Sequence, residues 1–168
     1  MKEMDVKVVS DVICNNLFRQ FGCVNSYKFN FIFSPVDQFI PEIINTSRED
    51  FLLLHISQYA FHSYGISESF LENINEIFLH LENLIKRSKT KIILNTVYFN
   101  SGSFSQTELI DKKILASKIN SQVLDFVSAN PFNCILVDVE DLISSVGFSN
   151  NFSPRNYGVM RFPYSKAL

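Results

Sequence analysis

Short apolar runs alternate with longer segments of helical period along most of this chain. VKVV (residues 6–9), FNFIF (29–33), FLLLHI (51–56), KIILNTV (91–97) and CILVDV (134–139) are rich in Val, Ile, Leu and Phe and largely lack a strict in/out alternation. That is the pattern of strands buried on both faces, as in a parallel sheet covered by helices. Between the runs, Ile13, Leu17 and Phe21 step by four and stop at Gly22, the usual residue just past a helix end. Ser34 and Pro35 have the order of an N-cap and first helical position, with Val36, Phe39, Ile40, Ile43 and Ile44 on one face beyond them. Phe70, Leu71, Ile74, Ile77, Phe78, Leu81, Leu84 and Ile85 form a stripe wide enough to pack on a sheet. A further helix opens with Ser105 and Glu108 in capping-box spacing, presents Leu109, Ile110, Ile114, Ile119 and Phe126, and stops at Asn130 and Pro131. Five strands alternating with four helices predict an α/β fold, a three-layer α/β/α sandwich. Its five-stranded parallel sheet has the expected order 2-1-3-4-5, because right-handed crossovers leave few alternatives.

Composition narrows the class without naming a chemistry. A chain of 168 residues with 46% hydrophobic and 19% charged positions fits one domain, and no repeat or Gly/Ser linker divides residues 1–168. The net charge of −2 gives no electrostatic case for nucleic acid. The basic stretch Lys86, Arg87, Lys89 and Lys91 falls at a helix end, where cations meet the negative end of the dipole. Three cysteines without CxxC spacing argue against a disulfide framework or a zinc site, and so for a reducing, cytoplasmic setting. MKEMDVKVV has no apolar region of the secretory type, and no apolar run approaches the roughly 20 residues that span a bilayer. No Gly-rich phosphate loop and no His or Asp spacing of a metal site occurs, so no cofactor is expected.

Ligands in open α/β sheets sit beyond the carboxyl ends of the strands, which singles out the residues after each run. Ser10 and Asp11, Ser57 and Gln58, and Asn95 are expected at one rim, joined from the C-terminal segment by Arg155 and Asn156. Asp11 has an equally good structural role as a helix cap. Hydrolytic chemistry would need a nucleophile and a base within hydrogen-bond reach. Ser10 and Ser57 are the candidate nucleophiles. His62, in a loop, is the candidate base, with His55, inside an apolar strand, as the alternative. The segment SPRNYGVMRFPYSKAL is too apolar for a free linker, and the expectation is that it packs back with Arg155 near Asp11.

The end of the chain, DV-x-x-L-x-x-x-x-G followed by SPRNY and RFPYSKAL, resembles the SGNH-hydrolase-like domain that precedes the phosphatase-like domain of FkbH-like proteins. SDVICNNL after the first strand, SPVDQFIPEI, and Asn120 within KINSQVLDF extend the resemblance through the chain. It implies a single SGNH-hydrolase-like domain of SGNH/flavodoxin-like fold, standing alone or as the N-terminal part of a longer FkbH-like protein. It also implies a haloacid-dehalogenase (HAD) type partner domain with a DxDxT motif, and an acyl carrier protein loaded with a glyceryl unit in polyketide biosynthesis. This chain contains no DxDxT. The hydrolytic blocks of SGNH enzymes are altered here. Ser10, Asp11 and Val12 stand for the first, with Val12 in the nucleophile's place. Ile56, Ser57, Gln58 and Tyr59 stand for the second, and Ser153, Pro154, Arg155 and Asn156 for the third, which lacks both Asp and His. The expectation is a pseudoenzyme that binds a partner. The rivals are an acyl hydrolase with a rearranged site and a stand-alone small-ligand binder.

Overall fold

The computed structural model describes residues 1–11, 23–57, 68–98 and 106–146. Its strands are β1 (Lys2–Ser10), β2 (Cys23–Val24), β3 (Tyr27–Phe33), β4 (Phe51–His55), β5 (Lys91–Asn95) and β6 (Cys134–Val137). Its helices are α1 (Phe39–Asn45), α2 (Glu68–Arg87), α3 (Gln106–Ala129) and α4 (Val139–Val146). The sheet order is β2-β3-β1-β4-β5-β6. The five strands read from the sequence are β3, β1, β4, β5 and β6, and all four pairings among them are parallel. Numbered by themselves, they give the expected order 2-1-3-4-5. The sequence reading omitted β2, two residues that pair antiparallel with β3 through a tight turn. Asn25 in that turn has φ 55°, a conformation Asn tolerates better than most residues.

Most of the core lies between one face of the sheet and helices α1, α2 and α3. Leu52 and Leu54 of β4, Ile92 and Leu94 of β5, and Val9 of β1 meet Ile43 of α1, Leu81 and Leu84 of α2, and Ile119 and Val123 of α3. Each side chain removed completely from water here contributes about 1.5–3 kcal/mol. Val6 and Val8 alternate with Val9 along β1 and are buried outside that cluster, on the opposite face. Lys7 shares the face of Val9, and its ammonium reaches α1, pairing with Glu42 Oε2 at 2.9 Å and with the Glu42 carbonyl at 2.9 Å.

Two helix expectations are corrected. Ser34 and Pro35 do not open a helix, since α1 begins four residues later at Phe39. The Ser34 hydroxyl donates to Glu42 Oε2 instead of capping, and a turn with Asp37 at φ 63° intervenes. Pro41 falls within the first turn of α1, where a missing N–H costs nothing. On α3, Ile119 and Phe126 face the core as expected, but Ile110 and Ile114 are exposed and Leu115, Ala116 and Val123 take the buried stripe. The end of α3 is as read. The Asn130 amide group donates to the Phe126 carbonyl at 2.9 Å, satisfying one of the last open carbonyls. Arg87 at the end of α2 donates to the Ile43 and Ile44 carbonyls at 2.8 and 2.6 Å, so it caps α1. The expected helix over Ile13–Phe21, the capping Ser105 and the C-terminal segment with Arg155 and Asn156 lie outside the described residues.

Candidate functional site

The carboxyl ends of β1, β4, β5 and β6 carry a continuous polar network. Ser10 closes β1 and His55 closes β4, and the parallel register pairs the two directly. Ser10 Oγ lies 3.0 Å from His55 Nδ1. Asp11, one residue further, accepts two hydrogen bonds from Ser57: the backbone N–H on Oδ1 at 2.9 Å and the hydroxyl on Oδ2 at 2.6 Å. Bonds to an ionised acceptor are the stronger kind, so Ser57 and Asp11 clamp the first two strand ends together.

Asn95 at the end of β5 extends the network. Its Oδ1 accepts the Ile56 N–H at 3.0 Å, and its Nδ2 donates to the Ile56 and Thr96 carbonyls, both at 2.9 Å. One buried side chain thus does for Ile56 what a neighbouring strand would, and it fixes the backbone that presents Ser57. Asn120 of α3 repeats the device, binding the Val97 N–H at 2.7 Å and the Val97 carbonyl at 3.0 Å. The Thr96 hydroxyl donates to Asp138 Oδ1 at 3.2 Å and accepts the Val139 N–H at 2.9 Å. Asp138 also accepts the Glu140 and Asp141 N–H groups, as the cap of α4.

Of the residues expected at the rim, the structure brings together Ser10, Asp11, Ser57 and Asn95. Gln58, His62, Arg155 and Asn156 lie outside the described residues, as does Val12. His55 was read as the lesser base, yet it touches Ser10. Its signal was available, because both residues are the last of their strands and an order placing those strands side by side makes them neighbours. Asp37 was missed altogether. Its N–H donates to the Ser10 carbonyl at 3.2 Å, and its Oδ1 is buried without a hydrogen-bond partner. Burial, followed by the charge of Asp11, pushes its carboxyl above the ordinary range.

The electrostatics favour a neutral imidazole. Burial lowers the His55 pKa below its usual 6.5, and the nearby Asp11 carboxylate opposes without overcoming this. A neutral ring can accept the Ser10 proton, but the arrangement differs from a catalytic triad. There the carboxylate orients the base through one ring nitrogen while the nucleophile meets the other. Here Ser10 and Asp11 both approach Nδ1, at 3.0 and 3.9 Å, and the Asp11 oxygens are engaged by Ser57. Burial pushes the Cys134 thiol up to about 11 and keeps it protonated. Among the described residues no group of three His, Cys, Asp or Glu side chains could hold a metal ion. Nor is any described helix long and apolar enough to cross a membrane.

An open groove of about 750 Å³ lies elsewhere, beside β6, lined by Leu136, Val137, Asp138, Asp141, Leu142 and Ser145. It is separated from the Ser10 cluster by β5. The polar convergence at β1 and β4 is the better candidate for chemistry, because a hydroxyl and an imidazole lie within hydrogen-bond reach there.

This architecture is an α/β/α sandwich found in proteins of quite different activity. The chain is similar to the N-terminal part of the protein BF1531 from Bacteroides fragilis, a structure containing a phosphatase domain and complexed with Mg. The TM-score is 0.75 at 15% identity, over 99% of this chain. The chain spans about half of that structure, 48% of its length. It is also similar to an extracellular lipase from Streptomyces rimosus, with a TM-score of 0.50 at 10% identity over 85% of this chain and 83% of the lipase. At these identities the likeness is one of fold. No protein-family model and no curated protein matches the sequence.

Proposed function

We propose that this is a non-hydrolytic SGNH-like domain that binds a partner, a HAD-type catalytic domain or the acyl carrier protein that such a domain loads. The observation that carries the reading is the approach of Ser10 and Asp11 to a single nitrogen of His55, with the Asp11 oxygens taken by Ser57. A carboxylate so placed holds the strand ends together, and among the described residues it does not give the imidazole the orienting contact on its second nitrogen that a general base relies on. The partner class is supported by the sequence resemblance to FkbH-like proteins. It is supported too by the likeness to a BF1531 structure that contains a phosphatase domain and is twice as long.

A second reading has one observation in its favour. Ser10 Oγ and His55 Nδ1 at 3.0 Å are within the reach of a nucleophile and its base, and the lipase shares the fold. Turnover of p-nitrophenyl acetate and butyrate by the wild type, Ser10→Ala and Ser57→Ala separates the two. The proposal expects background rates that neither substitution changes. A rate that falls by orders of magnitude in Ser10→Ala would establish the rearranged hydrolase.

A further inference from the structure

The β6 edge of the sheet presents a surface of another kind. No strand pairs with the outer side of β6 among the described residues. Asn133 and Val137 turn their carbonyls to β5, accepting the Ile92 and Thr96 N–H groups. Backbone groups alternate in direction along a parallel strand, so Leu136, between Ile135 and Val137, turns its N–H and C=O outward. A free edge of this sort is a template for another extended chain. Large apolar side chains flank it, with Phe132 88%, Ile135 46% and Leu142 42% exposed, and the groove between β6 and α4 adds Leu136 and Val137. One side of that groove is acidic. Glu140 and Asp141 occupy the exposed first turn of α4, and the last turn of α4 holds no basic residue.

Resting on the reading of this domain as a partner-binding module, we infer that the β6 edge docks an extended segment of a partner polypeptide in which apolar side chains alternate with lysine or arginine. The segment adds a strand to β6 through Leu136, sets its apolar side chains into the groove beside Leu142, and turns its cations toward Glu140 and Asp141. Charge selects this occupant over a second copy of the chain. A copy brings another acidic turn to an edge only four residues long, whereas a basic segment neutralises the first.

The test uses the full chain and a fluorescein-labelled hexapeptide of alternating lysine and valine, followed by fluorescence anisotropy. Saturable binding is expected. It should weaken roughly tenfold when the valine amides are N-methylated, which removes strand hydrogen bonds without touching the protein. It should weaken by a similar factor in Leu142→Asp, an exposed position where folding is not at stake, and a glutamate–valine peptide should not bind. Absence of saturable binding, indifference to both N-methylation and Leu142→Asp, or a dimer on size exclusion that shuts out the peptide would each overturn the inference. None of these outcomes alters the ester measurement, which tests the rim reading separately.

Discussion

The centre of the sheet and its β6 edge are built on opposite principles. At β1 and β4 the strand ends are polar and largely buried, with Ser10 against His55, Asp11 holding Ser57, and Asn95 holding the Ile56 backbone. At β6 the surface is open and apolar, with an edge unpaired among the described residues and an acidic margin. Among the described residues the first region is tied together by hydrogen bonds between strand ends, whereas the second leaves large apolar side chains exposed. β1, β4 and β6 end on the same rim, yet the Ser10–His55 contact lies at the first two alone.

The sharpest way to break this contrast is at Asp11. Asp11→Ala leaves the Ser57 N–H and hydroxyl buried without their acceptor, and a loss of about 3 kcal/mol is expected from urea denaturation. A loss below about 1 kcal/mol would mean that the clamp contributes little. Asn95→Ala strips three buried hydrogen bonds from Ile56 and Thr96, and about 2 kcal/mol should go with them. At the β6 edge, Leu142→Ala should stay within roughly 0.5 kcal/mol of wild type, because Leu142 is already largely exposed. Equal losses at Asp11 and Leu142 would erase the distinction.

A smaller effect lies in the response to pH. His55 has a folded pKa lowered by burial, so the folded state prefers the neutral ring and the unfolded chain binds the proton more readily. Its contribution is fully present above about pH 6.5 and is lost as pH falls toward the lowered folded value. Glu42, held below the usual carboxylate range first by its hydrogen bond from Lys7, acts in a lower window. Its contribution is present above about pH 4.5 and lost as pH falls through the folded value. His55→Gln should flatten the loss of melting temperature between pH 7.5 and 5.5 while leaving the fall below pH 4.5 in place. An unchanged slope in the upper window would show that His55 is not buried as described.

Much of this architecture was legible in the residues. The five apolar runs became the five parallel strands, since short runs rich in Val, Ile, Leu and Phe stand out from the longer helical stripes by length alone. The stripe from Ile74 to Leu84 was equally clear. What escaped were features set by long-range partners. Ser34 reads as a cap, but Glu42, eight residues on, takes its hydroxyl. Lys7, a charge inside an apolar run, gives no sign that α1 will supply its counter-ion. Cys23 and Val24 are too short a run to announce β2. Ile110 and Ile114 have helical spacing, yet which stripe of α3 faces inward was decided by the fit of Leu115, Ile119 and Val123 against the sheet. At the site, four rim residues could be placed because strand ends are marked by the sequence. The pairing of Ser10 with His55 required the strand order and the register together.

The central claim is that the Ser10, His55 and Asp11 cluster is a structural clamp and not a hydrolytic relay. Incubation with a fluorophosphonate, followed by mass spectrometry of the intact chain and its peptides, tests it most directly, because only a serine activated by a base reacts readily with such a probe. The clamp predicts no labelling of Ser10 beyond that of heat-denatured protein. Rapid, stoichiometric labelling of Ser10 that disappears in His55→Ala would contradict it.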